Sequence, residues 1–155
     1  MDYLVDLTPS EKQVLIDAPI LVTILIAGAD EHIDKREKSW AEKITNFRSK
    51  TAHHTLKDFY TIASENFDER LDSMINELPS KGSERLPILN SRLGLLNKIL
   101  PKLDARFAKA FYDSMKTFAK EIAEASGGIL GWFSKGIEEK KYLGLDMIND
   151  PFPEI

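Results

Sequence analysis

Ile20-Leu21-Val22-Thr23-Ile24-Leu25-Ile26-Ala27 is the most apolar run in the chain, and Thr23 is its only polar residue. A helix that is apolar on every side belongs at the centre of a bundle, so this run predicts the core element of the fold. It leads through Gly28 into Ala29-Asp30-Glu31-His32-Ile33-Asp34-Lys35-Arg36-Glu37, where Asp30, Asp34 and Glu37 fall within eight residues. On a continuous helix each residue turns about 100°, which brings those carboxylates within roughly 60° of one another. If the chain turns first, Asp34 becomes an N-cap and Glu37 its N3 partner, a D-x-x-E version of the capping box. Both readings expect a helical junction with clustered acid. Only the first expects a ligand.

Toward the N-terminus, Thr8-Pro9-Ser10-Glu11 has the form of a capping box with proline at the first helical position. Pro19 is expected to break or kink the helix that follows, with Asp17 capping the next one. Beyond the junction, Ile33, Trp40, Ile44 and Phe47 mark the expected buried face of a second helix, and Glu37 fills the remaining slot on that stripe. A buried carboxylate must be capped, paired or coordinated. On this phasing Trp40→Ala is expected to cost about 3–5 kcal/mol.

Arg48 to Thr51 reads as a linker. Leu56, Tyr60, Ala63, Phe67, Leu71, Met74 and Leu78 then recur at helical spacing, as one long helix or as two interrupted at Ser64-Glu65-Asn66. Pro79 to Ser83 is a loop, and Leu89, Leu93, Leu96 and Leu100 stripe a helix that Pro101 should end. Asp104 is placed to cap a helix carrying Phe107, Phe111, Met115, Phe118 and Ile122 on one side, with Gly127-Gly128 as its stop. Gly131-Trp132-Phe133 reads as an aromatic loop, Ile137 to Leu143 as a short last helix, and 149–155 as an extended tail. No segment alternates as a strand would.

The 155 residues are ordinary in composition, 43% hydrophobic and 30% charged, with a net charge of −4 and no cysteine. That excludes a wholly disordered chain, a disulfide framework, a thiolate nucleophile and a cysteine metal site. The acidic balance argues against a nucleic-acid partner. The apolar run is too short to span a bilayer, and the N-terminus lacks the basic-then-apolar order of a signal peptide. The expectation is a cytoplasmic protein with no membrane insertion.

A weak internal repeat relates Ile26 to Ile33 with Ile122 to Ile129. Ser126 and Leu130 stand in the second copy where the first has Asp30 and Asp34, so that copy has lost the acids. At these residues the chain resembles the TerB-like family associated with tellurite resistance. The resemblance is carried by the apolar helix leading into A-D-x-x-I-D-x-x-E (Ala29 to Glu37) and by the half-motif Ala125-Ser126-Gly127-Gly128-Ile129-Leu130-Gly131, which together frame about 12–148. It implies an all-helical domain of two pseudo-symmetric halves, a divalent-metal site at Asp30, Asp34 and Glu37, and a setting in stress or tellurite resistance.

Helix capping, with pairing to Lys35, Arg36 or a distant base, explains the acidic cluster without a ligand, and short acidic motifs recur often by chance. The metal reading rests on Glu37 occupying an apolar stripe and on the repulsion of three close carboxylates, which Ca²⁺ or Mg²⁺ would relieve. The spacing is not that of an EF-hand loop. His53-His54 point about 100° apart on a helix and suit a surface or helix start better than zinc. His32 is at most an accessory ligand. Gly127 to Phe133 lacks the lysine and preceding strand of a phosphate loop, and no nucleophile–base motif is present.

The sequence therefore predicts an all-α single domain of about seven helices, with a core over 9–148. Its expected role is a non-enzymatic binding or scaffold module whose partner is another protein. The alternative is an enzyme whose catalytic residues converge from separate helices.

Overall fold

The capped apolar run forms α1, Pro9–Ala27, in a computed structural model that describes residues 4, 6–28, 33, 35–125 and 144–152. Thr8 Oγ1 accepts from Glu11 N at 3.2 Å, and Glu11 Oε1 accepts from Thr8 N at 2.9 Å, which completes the capping box. From Ala18 to Ala27 every residue of α1 is buried. The other long helices pack around it: α2 (Lys35–Thr51), α3 (His54–Ala63), α4 (Phe67–Glu77), α5 (Gly82–Gly94) and α7 (Ala105–Ala125). The short α6 (Leu96–Ile99) and a 3-10 turn, Leu100–Lys102, link α5 to α7. The described residues contain no strand, so the fold is all-α as the spacing predicts.

The amphipathic helix expected after Asp104 is α7. Asp104 Oδ1 accepts from Arg106 N at 3.0 Å and Phe107 N at 3.2 Å, satisfying two of the orphan donors at the helix start. Phe107, Phe111, Met115, Phe118 and Ile122 are all buried, interleaved with Ala108, Ala119 and Ala123. Those alanines let α7 come close to α1, its main partner. Phe59 of α3 meets Phe107 and Phe111 edge-on, at centroid distances of 6.3 and 5.2 Å.

Pro19 does not break α1. Proline removes the donor to Leu15 O and crowds the preceding turn, a cost usually relieved by a kink or an outside donor. Here Arg70 Nη2 donates to Ile16 O (3.3 Å) and to Asp17 Oδ1 (2.8 Å), while Thr23 Oγ1 donates to Pro19 O at 2.7 Å. Asp17, expected as a cap, is instead half of this ion pair. Arg70 Nη1 also donates to Ala63 O and Glu65 O, which closes the end of α3. The interruption between α3 and α4 falls at Ser64–Asn66, with Asn66 left-handed at φ 50°. Asparagine tolerates that conformation better than most residues.

Two further expectations change. The residues read as a linker, Arg48 to Thr51, are the last turn of α2. The leucine stripe 89, 93, 96, 100 is buried as expected, but the helix carrying it divides at the exposed Leu95. The chain returns at 144–152 to lie against this region. Asn97 Nδ2 donates to Met147 O, Asn149 N donates to Asn97 Oδ1, and Asp150 pairs with Lys109 at 3.1 Å.

The largest correction concerns α2. Its buried residues are Glu37, Ala41, Ile44 and Thr45, whereas Trp40 is 44% exposed and Phe47 66% exposed. Glu37 and Ile44 are buried as the stripe predicts, but the covered face is rotated from Trp40 and Phe47 toward the small residues Ala41 and Thr45. Ala41 and Thr45 are fully covered, and Thr45 Oγ1 satisfies itself on Ala41 O at 2.7 Å. The cost expected for Trp40→Ala therefore falls below the core range, because nearly half of the side chain is exposed.

The second copy of the repeat beyond Ala125, the Gly127-Gly128 stop, the Gly131-Trp132-Phe133 loop and the Ile137 to Leu143 helix lie outside the described residues.

Candidate functional site

Asp30, Asp34 and His32 lie outside the described residues, so the geometry bears on Glu37 alone among the proposed ligands. Glu37 is 8% exposed in the first turn of α2, where the positive end of the helix dipole favours a carboxylate. Among the described residues no group of three or more His, Cys, Asp or Glu is arranged to hold a metal ion.

What the structure adds to the junction is a cation. Arg85 of α5 is only 4% exposed; its Nη2 donates to Gly28 O at 2.9 Å and its Nη1 to Ser80 O at 3.0 Å. The guanidinium thus sits on the C-terminal carbonyl end of α1, the negative end of that helix dipole. A Cβ on residue 28 would stand 3.0 Å from Arg85 Nη2 and 3.2 Å from Ile33 Cδ1, so this close approach explains the glycine. Arg85 escapes a reading by hydrophobicity, although it stands four residues before Leu89 on the leucine stripe. Spacing alone marks it as inward.

A second constellation joins α2, α3 and α7. Arg48 Nη1 donates to Tyr60 Oη (2.7 Å), Ser114 O (2.9 Å) and Ser114 Oγ (2.8 Å), and Nη2 donates to Thr117 Oγ1 (3.2 Å) and Glu121 Oε1 (3.1 Å). Its plane also lies over the rings of Tyr60 and Phe118, 5.4 Å from each centroid. Tyr60 Oη and Ser114 Oγ share a further hydrogen bond. Burial pushes the Tyr60 hydroxyl above the usual tyrosine range, with Arg48 opposing that shift, so the phenol stays protonated at neutral pH. Every Arg48 contact ties one helix to another. The arrangement is a staple, built from a residue that the sequence reading places in a linker.

On the α4 side of α2, Glu42 faces Asp68. The hydrogen bond to Asp68, partial burial and the Asp68 charge together push the Glu42 carboxyl above its usual range, against the pull of Lys43. A carboxyl raised on folding binds its proton more tightly in the folded state. Its penalty is present at neutral pH and is relieved as pH falls through the folded pKa. Glu42→Gln, which supplies a permanent donor to Asp68, should raise the urea midpoint at neutral pH and leave it unchanged in acid. An equal shift at both pH values would show that the two carboxyls do not interact.

The remaining feature is the outer face of α2. Trp40 and Ile44 line a groove of about 280 Å³ with Arg36, and Glu121, Glu124 and Ala125 of α7 form its opposite wall. Lys43 Nζ lies 5.8 Å from the Trp40 ring centroid. Neither Glu37 nor a histidine lines the groove. His53 and His54 are exposed at the start of α3, where His53 Nδ1 accepts from Thr55 N, the helix-start role expected for them. No described helix is long and apolar enough to cross a membrane. No protein-family model matches the chain, and no curated protein or solved structure is significantly similar to it.

Proposed function

We propose that this protein is a non-enzymatic, cytoplasmic binding module that docks another protein on the outer face of α2. The observation that carries this reading is the exposure of Trp40 and Phe47, two turns apart on one side of a helix, flanking the side that is buried. Large exposed aromatics beside a groove are what an interface uses as anchors. An enzyme assembled from separate helices is the competing class, and it calls for a pocket that joins Glu37 to a histidine or a second acid. The groove beside Trp40 has a different lining, which favours docking.

The test is a pair of substitutions. Trp40→Ala and Phe47→Ala together should lower the unfolding free energy by no more than about 2 kcal/mol, since Trp40 is part-covered and Phe47 mostly exposed, and should leave the chain folded. They should abolish retention of the partner that the wild-type chain captures, and that partner should protect the amides of α2 from exchange. Equal retention by wild type and variant would sink the docking role.

A second reading concerns the junction and is favoured by the burial of Glu37. In it Asp30, Asp34 and Glu37 hold Ca²⁺ or Mg²⁺ weakly, and the TerB-like resemblance adds a metal-responsive role in stress or tellurite resistance. Millimolar Ca²⁺ or Mg²⁺ should then raise the melting temperature, because a ligand bound only by the native state stabilises it. Asp30→Asn should remove that increment and scarcely change metal-free stability. Calorimetry without heat of binding for either ion would leave the acids as caps and ion-pair partners.

A further inference from the structure

We infer that the partner element taken by this face is an amphipathic helix, acidic along one edge and basic along the other. The inference rests on the docking role proposed above and names the chemistry of its occupant. Arg36, Trp40, Lys43, Phe47 and Lys50 recur at spacings of four and three, and all five are exposed. At about 100° per residue they fall within roughly 80° of one another, so they form one stripe, cation alternating with aromatic. The stripe runs about 21 Å at 1.5 Å per residue, four turns of a partner helix.

Charge chooses the occupant. In a chain of net charge −4, α2 carries six Lys or Arg and two Glu. Neither glutamate lies on the stripe: Glu37 is buried, and Glu42 turns toward Asp68 of α4. Lys38 pairs with Asp72 and Arg48 with Glu121, which leaves Arg36, Lys43 and Lys50 as the cations of the exposed ridge. Across the groove the wall carries Glu124, and Glu121 with one oxygen already on Arg48. A helix lying in the groove would set its apolar face on Trp40 and Ile44, meet cations along one edge and carboxylates along the other. Such helix-in-groove recognition reads the partner through anchors at helical spacing.

The same observations argue against the other occupants. A second copy seated stripe against stripe would place lysine and arginine opposite lysine and arginine, a like-charge contact in a two-fold interface. An anionic bilayer is flat, cannot reach Ile44 in the groove, and would be repelled by the glutamate wall. A strand of nucleic acid would face the same wall.

The experiment uses the full chain and labelled synthetic helices that share one leucine face. One has a glutamate edge and a lysine edge, one has glutamine on both edges, and one has lysine on both. Fluorescence anisotropy at low salt should show the bipolar peptide binding about tenfold more tightly than the glutamine-edged one, an advantage lost at high salt. Arg36→Glu combined with Lys43→Glu should erase that advantage, and on this variant the lysine-edged peptide should become the tightest. Trp40→Ala with Phe47→Ala should weaken all three peptides alike. Equal binding of bipolar and glutamine-edged peptides, still lost with the aromatics, would overturn the inference and leave the docking face standing. Binding unaffected by the aromatic substitutions would overturn both, as would sedimentation with phosphatidylserine vesicles in place of any peptide. A dimer by light scattering that the Arg36→Glu, Lys43→Glu variant abolishes would overturn it in favour of a second copy.

Discussion

Arg48→Ala should lower the free energy of unfolding by about 1.5–3 kcal/mol, the scale of hydrogen bonds made by one charged group whose carboxylate partner, Glu121, stays in contact with solvent. Its guanidinium is the common donor to Tyr60, Ser114, Thr117 and Glu121, and these acceptors lie on two different helices. Truncation leaves Tyr60 Oη and Ser114 Oγ to each other and Ser114 O to Thr117 Oγ1, while Thr117 and Glu121 turn to water, so what is lost is the charged donor that joins α2 to α3 and α7. The stacking on Tyr60 and Phe118 is lost as well. Arg48→Lys should lie between wild type and alanine, because an ammonium keeps the charge but cannot serve both sides of the fork. Urea denaturation followed by circular dichroism measures both. A midpoint for Arg48→Ala equal to wild type would show that water replaces the guanidinium at no cost, and the staple would be ornamental.

Phe111→Ala should cost more, about 3–5 kcal/mol, by a different route. Phe111 has no exposed surface and lies between Phe59, met edge-on at 5.2 Å, and Phe107, stacked at 6.1 Å. Removing the ring opens a cavity where α3 meets α7, and two aromatic contacts worth about 0.5–1.5 kcal/mol each go with it. Phe111→Leu refills most of the volume and should cost less than about 1.5 kcal/mol, provided the core repacks. If leucine and alanine prove equally damaging, the ring contacts outweigh the cavity. If both are mild, α7 closes onto α3 and the core is softer than its burial suggests.

The two substitutions separate what could be read in advance from what could not. Phe111 was legible. The stripe 107, 111, 115, 118, 122 has one residue set that can face a core, and Asp104 ahead of it marks the start. Arg48 was not legible, because its four residues, Arg48 to Thr51, look like solvent-facing punctuation. Nothing local reveals that Tyr60 and Ser114 will arrive from two other helices to accept its protons.

The sequence by itself determined the elements: an apolar run that has to be central, caps at Thr8 and Asp104, and the periodicity of α7. These depend on neighbours within a turn or two, so local pattern suffices. Tertiary structure alone decided three things. Pro19 stays inside α1, and Arg70, far along the chain, donates to Ile16 O and Asp17 in the turn just before it. Arg85 sits buried on Gly28 O because α5 packs across the end of α1. The phase of α2 is the third. Periodicity tells which residues share a face, not which face is covered, and α2 offers two faces of comparable merit. Its neighbours accept the small one, Ala41 and Thr45 with Arg48 reaching over them, because close helix approach and a satisfied guanidinium outweigh burying Trp40 and Phe47. The aromatic stripe is left facing outward.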